Sequence, residues 1–567
     1  MLPSALNVPQ SNPTQTLEFA PIPPQDDDPP PPQESSNLSS LSLGTSAGPS
    51  ADAPGGGGGG LADVPPQLPE GAGARPVTKR CVGDPPSQTE DPLSPPCVAH
   101  FEGDNGGATA RGVTPDEVRV LAYFDGGAGG AVMQAGTSRP TPIPNESFYD
   151  LDDPPDYDDE PTYVELIRTY ARYFNTRYQT YGRHIHFIVH YGQQDDSPEA
   201  LRADAAQAEA EYGPFFAVVA YNGGQVYSDA WAQRGTSVFV GTAYTAGATA
   251  SFFGSHPGMI WGYIPSVEQR AQVVASYICT KAVPHPVSFS GDPTLRGRQR
   301  VFGILHTTAS QNYIRYAELL RQGIDDCGGE VADVRTFAEN SAGGGSPDNG
   351  LANMAAFQQA GVTSIVWAGA QDAYQTTSAS QIAYYPEWLL AGDRNIEGNI
   401  EGRLKDQSQW VNARAVTTYT DMSDIDTAPC FRAAREVRPD LGRIEIRNYG
   451  CDFYPDIQQL FTGIQVAGPR LTFASMDQGF HAIPPKPSTS PTTASCFYRS
   501  DDYTCVKDSQ AQWWDPSGRV PGHNSTGCWR MMERGRRYLA GSWPEGDVEA
   551  QRDPSSDPCN AQSREAQ

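Results

Sequence analysis

The 567-residue chain lacks the short motifs that mark several common functions. It has no G-x-x-x-x-G-K-[ST] phosphate-binding loop, and no G-x-S-x-G nucleophile elbow occurs after residue 110. Only five of its 40 basic residues are lysine, which disfavours a phosphate cradle elsewhere. No run of about 18 apolar residues is present, so we expect no transmembrane helix. These absences argue against nucleotide chemistry, serine hydrolysis and a membrane span.

The chain also has few positively charged residues relative to its acidic ones. The formal net charge is −27, from 67 acidic and 40 basic residues. Nucleic-acid binding needs clustered lysine and arginine, and anionic membranes attract basic surfaces. We therefore expect neither nucleic acid nor a membrane surface as a partner.

The ten cysteines include no C-x-x-C pair, which argues against zinc ribbons and thioredoxin-like redox sites. Their even number and mostly loop-like contexts favour disulfides and an oxidising compartment, with scattered buried thiols as the alternative. The first residues, "MLPSALNVPQSNPTQ", do not resemble a secretory signal. We nevertheless expect an extracytoplasmic protein, secreted or associated with the cell envelope, because of the cysteine pattern.

The composition divides the chain into an arm, a core and a tail. Residues 1–110 are rich in proline, glycine, serine and acid, and predict a disordered arm. From residue 112 the chain alternates short apolar runs such as "EVRVLAY" with helical patterns such as "SPEALRADAAQAEAEYG". This predicts an α/β fold with doubly wound parallel sheets on either side of a proline-rich break at 283–293. Residues 546–567 predict a free tail.

The stretch "YFDGGAGG" places a glycine cluster directly after a predicted strand. It does not fit the dinucleotide fingerprint, because the third glycine would fall at Val132 and no helix follows promptly. We interpret it instead as a loop at the carboxyl end of a strand, where doubly wound sheets bind ligands.

Short polar residues and aromatics follow several other predicted strands. Such residues leave backbone N–H groups accessible and supply walls with a polar edge, so they predict a ligand cleft. The candidate ligand-binding residues are Asp125, Gly126, Asn222, Gly223, Thr242, Tyr244, Tyr313, Gly369 and Asp372.

Two sequences raise the question of a metal. "HIHFIVH" places His184, His186 and His190 on one face of a strand, a pattern that fits a metal site or buried neutral histidines. The acid-rich residues between 150 and 160 lack EF-hand spacing, so a solvated loop is preferred to a calcium site there. We assign no metal site and no cofactor at this stage.

Five segments in order resemble the type 1 periplasmic solute-binding proteins of the leucine/isoleucine/valine-binding type. They span about residues 111–545, and the segments are "RGVTPDEVRV", "ARYFNTRYQTYGRHIHFIVHYGQQDDSPEALRADA", "GMIWGYIPSVEQRAQVVASYI", "AAFQQAGVTSIVWAGAQDAYQ…YYPEWLLAG" and "RRYLAGSWP". The resemblance implies two lobes joined by three crossover segments. Lobe one would comprise 111–285 and 411–480, and lobe two 286–410 and 481–545.

The resemblance also implies roles for individual residues. It makes Thr242 and Tyr244 solute contacts, matches Tyr313 to a tyrosine of the second lobe, and offers Asp372 or Asp393 as the partner of a solute ammonium. It fits a disulfide between Cys430 and Cys451, and less directly the pairs Cys279–Cys327 and Cys81–Cys97.

The sequence thus predicts a non-enzymatic, monomeric binding protein that traps a small polar solute between its lobes. It would serve a permease of an ABC importer or act as a ligand sensor. Two alternatives remain open: a metal-dependent enzyme using His184, His186 and His190, and an orphan cell-surface binding domain.

Overall fold

The computed structural model describes the chain from Cys81 to Asn560, with gaps. The gaps are 83–86, 89–90, 99–100, 126–145, 157–159, 194, 196, 242–246, 309, 339–346, 370–371, 373, 392–396, 421–424, 487, 489–490 and 521–523. Among the described residues, no helix has the length and hydropathy needed to cross a bilayer.

The described strands are short, and seven of them are buried at every residue. In chain order they are β1 (Cys81–Val82), β2 (Ser87–Gln88), β3 (Glu117–Phe124), β4 (Ser147–Asp150), β5 (His184–Tyr191), β6 (Ala217–Ala220), β7 (Ser237–Val240), β8 (Ile260–Gly262), β9 (Val301–Thr307), β10 (Glu330–Phe337), β11 (Ser364–Ala368), β12 (Glu387–Ala391), β13 (Ala413–Thr417), β14 (Asp508–Asp515), β15 (Cys528–Met531) and β16 (Arg537–Leu539).

The described α-helices alternate with the strands through most of the chain. They are α1 (Thr162–Arg177), α2 (Pro198–Tyr212), α3 (Gly224–Gln233), α4 (Ala250–Ser255), α5 (Val267–Tyr277), α6 (Gln311–Asp326), α7 (Pro347–Gln359), α8 (Tyr374–Gln381), α9 (Asn399–Leu404), α10 (Gln407–Trp410), α11 (Pro429–Val437), α12 (Arg443–Glu445), α13 (Cys451–Ala467) and α14 (Phe473–His481).

Helix α2 shows how local sequence sets an element's bounds. Ser197 caps the amino end by accepting a hydrogen bond from the Ala200 N–H, and Pro198 occupies the first turn. Gly213 ends the helix with a φ of 79°, a conformation that favours glycine. The predicted start and end of this helix are confirmed.

The first sheet has the strand order β4-β5-β3-β6-β7-β8. Its strands are parallel except β4, which pairs antiparallel to β5 at the edge. Residues 136–161 are interpreted as a loop from sequence, yet Ser147–Asp150 forms this edge strand. Four residues beside a proline-rich segment carry too little periodicity to reveal it.

The second sheet has the order β10-β9-β11-β12-β13-β14-β15, with β16 also paired to β14. Strands β9 to β13 are parallel, whereas β14 is antiparallel to β13 and to both later strands. The predicted α/β fold with two doubly wound sheets is confirmed, and its carboxyl-terminal antiparallel strands enlarge the second sheet.

Three crossover segments connect the lobes, and they bond to one another. Cys505 N–H donates to the Gly262 carbonyl at 2.9 Å, which joins the first crossover to the third. Arg537 donates to the Thr418 carbonyl of the second crossover at 2.8 Å and to the Asp508 carboxylate at 2.8 Å. Both charged side chains of this ion pair are fully buried. It therefore holds the second and third crossovers together.

The hydrophobic cores move the expected lobe boundaries. Helix α5 packs with the core of the second sheet, through Val267, Ala271 and Val274, although the expected boundary lies at 285. Strand β13 belongs to the second sheet, whereas Tyr498 and Cys505 pack in the core of the first. The chain therefore changes lobe near residues 263–266, 418–420 and 506–508. Strand and helix periodicity does not indicate which of the two cores such a segment joins.

Parts of the expected arm and tail are packed against the lobes. Arg183 of the first lobe donates to the carbonyls of Asn105 and Gly107, at 2.7 and 3.0 Å. At the other end Val548 is fully buried in the second lobe's core. Residues 91–98 and 101–110 thus extend lobe one, and 546–560 extend lobe two. Hydrogen bonds of polar side chains and disulfides hold these segments in place. The segments lack the apolar periodicity from which an ordered element can be predicted.

Cysteine pairs stabilise both lobes. Disulfides join Cys279 to Cys327 and Cys430 to Cys451, the two pairs that the resemblance implies. Two more were not expected, namely Cys496–Cys505 and Cys528–Cys559. Cys97 is also disulfide-bonded, while the Cys81 side chain lies outside the described part.

Candidate functional site

The carboxyl edge of the first sheet carries a pair of polar side chains. Asp125 follows β3 and Asn222 follows β6, and these strands are neighbours. The Asp125 N–H donates to Asn222 Oδ1 at 2.7 Å, and the Asn222 amide in turn donates to the Asp125 carboxylate. The structure thus brings together two of the predicted site residues, because parallel strands end at the same edge.

Gly223 allows the chain to turn tightly into α3. Its φ is 83°, and a Cβ at this position would lie 2.9 Å from both Tyr123 Cε1 and Tyr227 Cβ. Those two rings stack at 3.7 Å beneath the loop. Only glycine fits the turn at position 223, and this turn keeps the Asn222 side chain at the end of β6.

The second sheet's carboxyl edge places Gly369 beside Tyr313. Gly369, after β11, has a φ of 129°, and a Cβ there would lie 2.9 Å from Thr307 Cγ2 and 3.3 Å from Tyr313 Cδ1. Tyr313 is buried in the first turn of α6, where Ser310 caps its N–H. Both predicted residues lie at the same edge, although the tyrosine ring is packed.

The Asp372 side chain is hydrogen-bonded to the first residues of α8. Its carboxylate accepts from the Tyr374 N–H at 2.6 Å and from the Gln375 amide at 2.8 Å, and the residue is fully buried. Lys405 donates to its backbone carbonyl at 2.7 Å. Burial lowers the pKa of Lys405, against the opposing effect of Glu401 and Asp372. The carboxylate that the resemblance offers to a solute ammonium already has partners.

One hydrogen bond establishes that the two carboxyl edges face each other. Asn312, at the start of α6 after β9, donates to the Gly247 carbonyl at 2.6 Å, in a buried position. Gly247 lies in the loop that follows β7. The loops that follow β7 and β9 at the two carboxyl edges are therefore in direct contact, at the edges where doubly wound sheets bind ligands.

Sequence reasoning included Asn312 within the candidate stretch 310–313, but it missed Asp204 at the edge of lobe one. Asp204 is buried, accepts from Tyr123 Oη at 2.7 Å and contacts the Gln193 N–H after β5. Burial raises the pKa of its carboxyl, although these hydrogen bonds oppose the shift. A carboxylate on the apolar face of a predicted helix, beside Leu201 and Ala208, was the available indication.

Four predicted site residues lie outside the described residues. They are Gly126, Thr242, Tyr244 and Asp393.

The three histidines of β5 do not act together. His190 is fully buried and stacks on Phe148 at 4.1 Å, and burial lowers its pKa to about 3. His184 and His186 instead contact Asp152 and Asp150, at 2.8 and 2.7 Å. The three histidines, which the sequence left open as an alternative metal site, are therefore divided into a neutral core residue and a separate histidine–carboxylate cluster.

Comparison with known proteins identifies the fold. No protein-family model and no curated protein matches the chain. Among solved structures, a substrate-binding protein of an ABC transporter from Aeropyrum pernix aligns with a TM-score of 0.50 and 9% identity, over 75% of this chain and 96% of that one. The leucine-, isoleucine-, valine-, threonine- and alanine-binding protein from Brucella ovis aligns with a TM-score of 0.51 and 10% identity, over 77% and 100%. The chain has the two-lobed fold of type 1 periplasmic binding proteins.

Proposed function

We propose that this protein binds a small polar solute between its two lobes and performs no catalysis. The observation that carries the proposal is the contact from Asn312 to the Gly247 carbonyl, which opposes the carboxyl edges of both sheets. The two aligned structures support it, because each is named as a binding protein. A solute that contacts both edges would favour the closed arrangement of the lobes by its differential affinity.

Lobe one supplies the polar recognition in this proposal. Asp125 and Asn222 offer a carboxylate and a primary amide at the end of adjacent strands, both partly exposed. A solute with hydroxyl, amide or amine groups can exchange hydrogen bonds with this pair. The other solute contacts predicted for lobe one follow strands of the same sheet in the sequence. They are Gly126 after β3, and Thr242 and Tyr244 after β7.

The solute class follows from what lobe two has available. The Asp372 carboxylate is fully buried and already accepts hydrogen bonds from Tyr374 and Gln375, which makes it the weaker candidate for a solute ammonium. Asp393 remains the candidate of lobe two if the solute is an amino acid. Amides and related polar solutes need no such carboxylate, and we include them as ligands.

We place the protein outside the cytoplasm. Four complete disulfides among the described residues fit an oxidising compartment. The partner would be a permease of an ABC importer or, if the protein is a sensor, a signalling component. We expect the protein to act as a monomer, because each chain contains both lobes of its cleft.

Thermal unfolding with a solute panel tests the proposal. Amino acids, amides, short peptides and aromatic acids are each added at millimolar concentration to the purified full chain. A ligand at 100 times its Kd stabilises the native state by about 2.7 kcal/mol, which raises Tm by several degrees. A shift with one class supports solute binding, whereas a folded protein whose Tm responds to no class contradicts it.

Two matched variants localise any response. Asn222→Ala removes an amide from the carboxyl edge, whereas Gln233→Ala removes one from the far end of α3, where it donates a hydrogen bond to Asp229. We expect the solute shift to shrink in Asn222→Ala and to persist in Gln233→Ala. Equal responses in both variants would contradict the assignment of Asn222 to the site.

A further inference from the structure

The first lobe carries a second cluster of polar side chains at the opposite edge of its sheet. His186 Nε2 lies 2.7 Å from Asp150 Oδ1 and 3.7 Å from Asp152 Oδ2. One ligand atom from each of these three residues falls within 4.8 Å of the others. His184 Nε2 adds a further nitrogen 2.8 Å from Asp152 Oδ1.

The register of β4 and β5 accounts for this arrangement. Asp150 is paired with Ile188, so its side chain shares a face with every second residue of β5, including His186 and His184. Asp152 lies just beyond the end of β4. Both histidines belong to the first half of β5, and His184 is its first residue. The cluster thus lies roughly 20 Å from the carboxyl edge of the sheet, at about 3.3 Å per residue.

We infer that Asp150, Asp152 and His186, with His184 beside them, form a binding site for a divalent transition metal such as zinc. The ligands of tetrahedral zinc are about 3.3 Å apart, given bonds of about 2.0 Å, and the observed 2.7 and 3.7 Å bracket that spacing. Two carboxylates balance the charge of the ion. Imidazole favours zinc, nickel or copper over calcium and magnesium, which prefer oxygen ligands.

The surroundings of His186 supply a second, independent indication. Its other ring nitrogen, Nδ1, is buried, makes no hydrogen bond within the described part, and faces Glu117 Oε1 at 3.5 Å. Arg119 forms an ion pair with the same Glu117 oxygen at 3.1 Å. A carboxylate behind the distal nitrogen is the usual support of a metal-bound imidazole, because it directs Nε2 to the ion.

The site is accessible and has a defined effect. The side chains of Asp152 and His184 are 47% and 34% exposed, which leaves a route for the ion and room for a water ligand. A bound metal would join β5 to the end of β4, which pairs with no other described strand. The inference is independent of solute binding, because the two sites lie at opposite edges.

Zinc titration of the full chain tests the site. The protein is stripped with a chelator, and zinc binding is followed by calorimetry, with the metal content measured after dialysis. We expect one zinc ion per chain with a Kd below about 10 µM, and a higher Tm. Magnesium and calcium should not displace it. A chain that takes up no stoichiometric zinc would show that the cluster consists of ion pairs alone.

Matched variants decide whether these residues hold the metal. His186→Ala should weaken zinc binding at least tenfold, whereas His256→Ala should not, because His256 contacts the single carboxylate of Asp229. If His186→Ala folds poorly, Asp152→Asn changes only a half-exposed side chain and should give the same loss. Unchanged zinc affinity in a folded Asp152→Asn or His186→Ala variant would overturn the site. The solute response of the cleft should persist in both variants.

Discussion

Arg183 in lobe one and Arg300 in lobe two are both buried, and the lobes satisfy them by different means. Arg300 donates to Glu387 at 2.8 Å, and both side chains are fully buried. Arg183 instead donates to four backbone carbonyls, those of Thr114, Pro469, Asn105 and Gly107. Burial lowers the pKa of Arg183. Burial also acts to lower the pKa of Arg300, but Glu387 and Asp547 together outweigh it and the pKa is raised.

This difference separates two structural roles. The Arg300–Glu387 pair joins β12 to the segment before β9, since Glu387 also accepts from the N–H groups of Ser288 and Phe289. Arg183 joins residues 105–107 and 469 to the first lobe. The carbonyls that accept from Arg183 fix a terminal segment without adding a second buried charge. In the Arg300–Glu387 pair each buried charge needs the other, because removing one leaves the other without a counter-charge.

Removing Arg300 should have the largest effect. Arg300→Ala leaves the Glu387 carboxylate buried without its counter-charge, which typically costs about 3–5 kcal/mol of the free energy of unfolding. Urea unfolding measures this loss. The double variant Arg300→Met with Glu387→Gln should recover most of it. An Arg300→Ala variant as stable as the wild type would contradict the distinction between a charged acceptor in lobe two and neutral acceptors in lobe one.

Removing Arg183 should cost less. Arg183→Ala leaves only neutral carbonyls without donors, so we expect a loss of about 2–3 kcal/mol. Limited proteolysis should also cut the variant within residues 101–110 sooner than the wild type. A loss as large as that of Arg300→Ala would show that neutral acceptors and a carboxylate are equivalent here.

His190 extends the comparison of buried basic side chains to a third case. Lobe one buries this histidine in its neutral form. Its pKa is about 3 in the folded state against about 6.5 unfolded, so the unfolded chain binds one more proton between these values. Stability is therefore lost as the pH falls below 6.5, by up to about 1.4 kcal/mol per pH unit, or about 2 kcal/mol at pH 5.

The variant His190→Phe isolates this contribution. It replaces the ring that stacks on Phe148 with another flat ring and removes the titration. Urea unfolding at pH 6.5 and pH 5 should show a smaller pH difference in the variant than in the wild type. Identical differences would contradict a neutral, buried His190.

Local sequence predicted the parallel strands and α2 because caps and apolar runs act within a few residues. It did not predict β4, whose pairing with β5 is a contact between distant residues, or the lobe to which α5 belongs. Asp125 and Asn222 could be placed in one site because both end neighbouring strands. The role of Asp372 stays a prediction, and only the structure reveals that its carboxylate accepts hydrogen bonds from Tyr374 and Gln375.

The central claim is that both lobes contribute to one solute site, and a comparison of affinities tests it most directly. The Kd of a solute that raises Tm is measured by calorimetry for Asn222→Ala in lobe one, Asn312→Ala in lobe two, and the control Gln233→Ala. Asn222→Ala removes a hydrogen bond to the solute, whereas Asn312→Ala removes the bond to the Gly247 carbonyl that joins the two lobes in the closed arrangement. Each bond is worth about 1 kcal/mol, so we expect about fivefold weaker binding in these two variants and unchanged binding in the control. Wild-type affinity in either Asn222→Ala or Asn312→Ala would contradict a site formed between the lobes.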